Sequence, residues 1–114
     1  MPFINAMVVR KLEDEEKTNL QEAIADAVSV IPGKNAGNTV ICISDGYAMY
    51  KNKEPIEGAF VEVRLFKSSP DECKGEFTKK LFDIFEKHLK IPKEKLTINF
   101  HKLDSWGANG GLMF

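Results

Sequence analysis

Several things are scarce in this 114-residue chain, and each scarcity excludes a class of function. Cysteine occurs twice, as Cys42 and Cys73, far apart and with no Cys or His at metal-ligand or redox spacing, so both read as ordinary free thiols. Histidine also occurs only twice. No metal-ligating cluster is expected. Charge of one sign is not in excess: sixteen Lys and Arg against seventeen Asp and Glu leave a formal net charge of -1. That balance argues against a general nucleic-acid binder or a protein held to anionic membranes. No apolar run approaches the roughly 20 residues of a membrane span, and the N-terminus lacks the basic and apolar regions of a signal peptide, so the expected compartment is the cytoplasm.

What is present is sufficient for one packed core. Hydrophobic residues make up 43% of the chain, and its length suits a single domain over residues 1–114. Periodicity reveals two halves of similar order, about 1–56 and 57–114, each strand, helix, strand. Phe3 to Val9 alternates as a strand, Asp14 to Ile31 is helical and Thr39 to Ser44 is a strand. Ala59 to Phe66, Pro70 to Leu89 and Lys95 to His101 repeat the order. Ile31-Pro32 after the first helix matches Ile91-Pro92 after the second.

Leu20, Ile24, Ala27, Val28 and Ile31 form one stripe on the first helix; Phe77, Leu81, Ile84, Phe85 and Leu89 form one on the second. Ser69, Pro70 and Glu72 predict a capping box with Pro at the first helical position. Asp45-Gly46 and the stretch from Lys51 to Gly58 read as turns around a short segment at Tyr47 to Tyr50. Two β-α-β units predict an α+β fold: a four-stranded mixed sheet with both helices on one face. Alternation then sends Val61, Val63 and Leu65 to the helices and Phe60, Glu62, Arg64 and Phe66 to the other face; Leu96, Ile98 and Phe100 likewise oppose Thr97, Asn99 and His101. A face mixing large apolar and charged groups predicts self-association rather than a solvated surface.

Chemistry enters at the second residue. Removal of Met1 would leave Pro2 with a free secondary amine. A terminal amine titrates near ~8 and falls in an apolar cleft or beside a cation, which would make Pro2 a base at neutral pH. The plain alternative is that Pro suits the first position of a strand. Arg64 can clamp a carboxylate through two parallel hydrogen bonds; equally, Glu62, two residues away on the same face, can occupy it as an ion-pair partner.

Taken together, Met1-Pro2-Phe3-Ile4, Ile31-Pro32-Gly33-Lys34, Phe60-Val61-Glu62-Val63-Arg64, Ile98-Asn99 and Trp106-Gly107-Ala108-Asn109-Gly110-Gly111 resemble the tautomerase superfamily, in its macrophage migration inhibitory factor-like branch. The resemblance spans the whole chain. It implies a homotrimer with active sites at subunit boundaries, and a cofactor-free keto-enol tautomerase of 2-oxo acids such as phenylpyruvate, in which the processed N-terminal Pro carries the proton. Carried onto this sequence, it makes Pro2 the catalytic base, Lys34 a substrate contact that lowers the amine pKa, Asn99 a contact to substrate oxygen from the neighbouring subunit, and Trp106 the late aromatic near the substrate. There are departures. Thr97 stands where the branch has an aromatic hydroxyl, the late aromatic is displaced, with Trp106 before Gly107 and Ala108 after it, and the cysteine pair of the cytokine members is missing around Glu57 to Phe60. His101 reads as a channel-face or surface residue. The alternative function is a non-catalytic trimeric binding or signalling module of the same fold.

Overall fold

The computed structural model describes residues 2–67 and 69–114. The order of elements is β1 (Pro2–Val8), α1 (Asp14–Ala27), β2 (Val40–Ser44), β3 (Tyr50–Lys51), β4 (Glu54–Pro55), β5 (Ala59–Phe66), α2 (Asp71–Leu89), β6 (Leu96–Leu103), β7 (Trp106–Ala108) and β8 (Gly111–Met113). β1, β2, β5 and β6 form one sheet in the order β2-β1-β5-β6. β1 runs parallel to β2 and β5 parallel to β6, each pair joined by a helix, as parallel pairing requires a long crossover. The two units meet along the antiparallel pair β1 and β5. The predicted four-stranded mixed sheet is therefore the one observed.

The alternating pattern of β1 and β5 is the reason for the layering. Ile4, Ala6, Val8, Ala59, Val61, Val63 and Leu65 are buried with Leu20 and Ile24 of α1 and Phe77, Leu81 and Phe85 of α2 in one hydrophobic cluster. The opposite residues of both strands are only half-buried. Ile98 and Phe100 of β6 pack against the same cluster from the edge. No buried polar or charged residue occurs among the described core positions.

Some strand ends shift from the expectation by one or two residues, β6 running to Leu103 rather than His101, and the helix ends differ more, in length or in capping. α1 stops at Ala27 and tightens into a 3-10 turn over Val28–Val30, because two β-branched residues around Ser29 crowd an α-helical turn just before Ile31-Pro32. The capping box predicted at Ser69 does not form: Pro70 is itself the cap of α2 and no side chain bonds to it. Instead the reciprocal box lies at α1, where Glu13 and Glu16 each accept from the other's backbone N–H. The segment around Tyr47 to Tyr50 contributes Tyr50–Lys51 to a small hairpin with Glu54–Pro55. Gly58 is fixed by contact: a Cβ there would lie 2.0 Å from the Lys95 carbonyl oxygen, so only glycine lets the start of β5 approach β6. No helix among the described residues is long and apolar enough to cross a membrane.

Candidate functional site

Pro2 opens β1 with its ring fully buried, on the same side as Ile4, Ala6 and Val8, and it pairs with Leu65 near the end of β5. Met1, on whose removal the free amine depends, lies outside the described residues. Phe3 pairs with Val40 on the other flank, which puts Thr39, one residue before β2, beside Pro2. Thr39 is the exit of the loop that carries Lys34. The loop is rigidly built: the Lys34 N–H donates to Ile31 O at 3.0 Å, Asn35 and Asn38 cap one another, the Asn38 amide donates to Gly33 O at 3.0 Å, and the Thr39 hydroxyl donates to Asn35 O at 2.7 Å. Gly33 takes φ +76°, a left-handed turn open to glycine without strain. Lys34 is thereby held, half-buried, in a short ordered loop that ends next to Pro2.

Arg64 lies one position back along β5, opposite Phe3, and both face away from the helices. Its guanidinium carbon sits 5.6 Å from the centre of the Phe3 ring, a cation-π distance. The rival pairing is also present, but loosely: Arg64 Nη2 is 3.8 Å from Glu62 Oε2, and the arginine side chain is 43% exposed. One long, partly solvated contact of this kind is worth about 1 kcal/mol or less. Glu62 is shared, with His101 Nε2 at 3.6 Å and the Asn5 side-chain amide donating from 3.4 Å. The ion pair and the clamp are therefore compatible, since a single guanidinium nitrogen meets the carboxylate.

Trp106 joins Arg64. A shallow recess of about 380 Å³ is lined by Phe3, Val40, Arg64, Leu103, Ser105, Trp106 and Gly107. Trp106 is brought there by the β7–β8 hairpin, whose turn residues Asn109 and Gly110 both take positive φ. That hairpin was not expected from the sequence, although Asn-Gly is its usual signal. Phe66 packs against Trp106 with ring centres 6.3 Å apart.

Asn99 stands elsewhere. It pairs with Glu62, which pairs with Asn5, so these three form a polar row across the open sheet face, three positions from Pro2 along the strands and two strands away. Asn99 Oδ1 is buried and has no hydrogen-bond partner. Within one chain, then, Pro2 and the Lys34 loop share one end of the sheet, Arg64 and Trp106 share a recess at that end on the open face, and Asn99 meets neither. Thr97 is exposed on β6 beside Phe60. Among the described residues no three His, Cys, Asp or Glu side chains gather as a metal-ligating group.

Comparison with known proteins agrees with this architecture. No curated protein matches the sequence. Among solved structures, Leishmania major MIF2 superposes with a TM-score of 0.90 at 21% identity, over 99% of this chain and 97% of that one. Pt0534 inactivated by 2-oxo-3-pentynoate gives 0.85 at 16% identity, over 96% and 93%. A fused 4-OT asymmetric trimer gives 0.86 at 13%, over 96% and 94%. The family profile for macrophage migration inhibitory factor matches residues 1–113, nearly the whole sequence, and the chain belongs to the macrophage migration inhibitory factor family.

Proposed function

We propose that this protein is a cofactor-free keto-enol tautomerase of 2-oxo acids, working as a homotrimer after loss of Met1. The observation that carries the reading is the placement of Pro2: its ring sits in the apolar layer at the sheet end reached by the Lys34 loop. Apolar surroundings disfavour the charged amine, and a Lys34 ammonium directed from that loop to the substrate would add to the effect, which lowers the amine pKa towards neutrality. A neutral Pro2 amine removes a proton from the carbon next to the 2-oxo group; the C–H electron pair becomes the C=C bond and the carbonyl oxygen gains charge. Lys34 and the Asn99 amide of a neighbouring copy stabilise that oxygen, and Pro2 returns the proton to it, giving the enol. Arg64 holds the substrate carboxylate and Trp106 packs on the substrate body. A trimer is part of the proposal because Asn99 cannot reach Pro2 inside one chain. That one superposed relative is a 4-OT trimer, and that another was inactivated by a 2-oxo acid derivative, supports both halves of the reading.

One observation favours a non-catalytic module instead: exposed Thr97 supplies no aromatic hydroxyl to the neighbouring pocket. The two readings separate on the N-terminus. Protein shown by intact mass to lack Met1 is expected to enolise phenylpyruvate, with a rate that rises with pH through a pKa below the ordinary ~8 of a terminal amine. Pro2→Ala keeps a terminal amine but changes its basicity and rigidity, and is expected to lower kcat at least about tenfold, while Met1-retaining protein, the form that loses the general base, is expected to be inactive because an amide nitrogen accepts no proton. Wild-type rates with Met1 attached would refute the mechanism.

A further inference from the structure

Beyond Leu65, the partner of Pro2, β5 runs through Phe66 into Lys67. Lys67 takes φ +66°, a left-handed conformation that costs an L side chain energy and costs glycine none. Two other lysines share it for backbone reasons: Lys90 is the left-handed cap of α2, and Lys53 lies in the turn of the β3–β4 hairpin. Lys67 closes neither a helix nor a hairpin. Its N–H donates to Leu103 O at 2.8 Å, and its ammonium lies 5.3 Å from the centre of the Phe66 ring. Phe66 touches Trp106, and Trp106 and Leu103 are walls of the recess containing Phe3 and Arg64. Among the described residues no carboxylate pairs with Lys67, and Arg64 has only its long contact to Glu62.

The recess thus has a guanidinium in its lining and aromatic walls, and a second cation lies over Phe66, the ring that packs against one of those walls. One cation suffices for the carboxylate of a simple 2-oxo acid. We infer that Lys67 is a specificity-determining residue and that the substrate is a 2-oxo acid bearing a second acidic group on a flat apolar tail, its two anionic ends held by Arg64 and Lys67. The inference rests on the proposed tautomerase reading for the reaction, but not for binding.

Two pairs of probes test it: phenylpyruvate and 4-carboxyphenylpyruvate by turnover, and the non-enolisable cinnamate and 4-carboxycinnamate by calorimetry, with Met1-free protein. The diacid of each pair is expected to be favoured up to about fivefold, the upper end of what one ion contact at an exposed lysine gives. Lys67→Met, which keeps the apolar stem on Phe66, is expected to erase that preference while changing phenylpyruvate kcat/KM less than about twofold, and Lys67→Arg to restore it. Phenylpyruvate turnover without diacid preference in either assay would overturn the inference and leave the reaction standing. Diacid preference in calorimetry that is lost in Lys67→Met, without turnover of either keto acid, would uphold the two-cation site and remove the tautomerase reading. An equal loss on mono- and diacid probes in Lys67→Met would also overturn it, because a positioning role in the fold would move both alike.

Discussion

Two carboxylates outside the candidate site hold the entry to α1. The Arg10 guanidinium donates to both oxygens of Glu16, at 2.8 and 3.3 Å, and the Glu13 N–H donates to the same carboxylate at 2.9 Å. Hydrogen bonding from Arg10, then from the Glu13 backbone, lowers the Glu16 pKa to about 2. Asp45, at the end of β2, accepts the Leu12 N–H at 2.6 Å, and this bond first, with Lys17 and Lys11 adding their charge, holds its pKa below the usual range. Both folded values lie below those of the unfolded chain, where Glu and Asp titrate near ~4.3 and ~3.9. Their stabilising contributions are therefore fully present above about pH 5 and are lost as pH falls towards 2. Glu16→Gln and Asp45→Asn are expected to lower stability at pH 7 and to flatten its fall between about pH 5 and 2, as measured by urea denaturation at several pH values. An unchanged acid slope in the double variant would show that other carboxylates control acid unfolding.

At the level of elements, the stripe of α2 supplies the two buried phenylalanines of the core, Phe77 and Phe85. Phe77, Leu81, Phe85 and Leu89 recur at helical spacing and all are buried against the sheet or α1. Leu81→Ala removes a fully buried side chain from this stripe and is expected to cost about 3 kcal/mol in chemical denaturation, while Glu86→Ala, exposed on the same helix, is expected to change stability by less than about 0.5 kcal/mol. Such stripes explain why most elements were legible in the sequence. β5 falls on its expected bounds, because strict alternation between buried and half-buried residues leaves no other register. The ends were less legible. Ser69 has the composition of a cap, yet the backbone at Pro70, with ψ 139°, already turns the chain into α2, so no side chain is needed to shape the entry. The β7–β8 hairpin escaped because three-residue strands carry too little periodicity, leaving Asn109-Gly110 as the sole local sign.

At the scale of the whole molecule, the open face of the sheet carries the proposed assembly and limits how much of the site a single sequence can reveal. Pro2, Lys34, Arg64 and Trp106 were legible as individual residues, but their grouping was not: that Phe3 opposes Arg64, and that Trp106 closes the recess, depends on strand register and on the hairpin. Asn99 shows the limit most clearly, for its carbonyl oxygen is buried yet unpartnered within one chain. An acceptor left so costs roughly 1–3 kcal/mol, which a neighbouring subunit would relieve by supplying a donor. The same face carries half-buried Phe60 and Phe66 beside Glu62 and Arg64, a mixture suited to an interface with an apolar centre and polar contacts. Light scattering is accordingly expected to give three times the 12.8 kDa chain mass at micromolar concentration. Asn99→Leu provides the sharper test. If Asn99 is an orphan of a monomer, removing the unpaired acceptor stabilises the fold and leaves the mass unchanged. If a partner satisfies it, the substitution strands that partner's donor, weakens the trimer at least about tenfold in concentration dependence, and lowers thermal stability in the assembled range. A monomeric wild-type mass would remove Asn99 from the mechanism, whereas a trimer indifferent to Asn99→Leu would show that no partner donor meets its carbonyl oxygen, and the kcat of that variant would then decide the part of its amide.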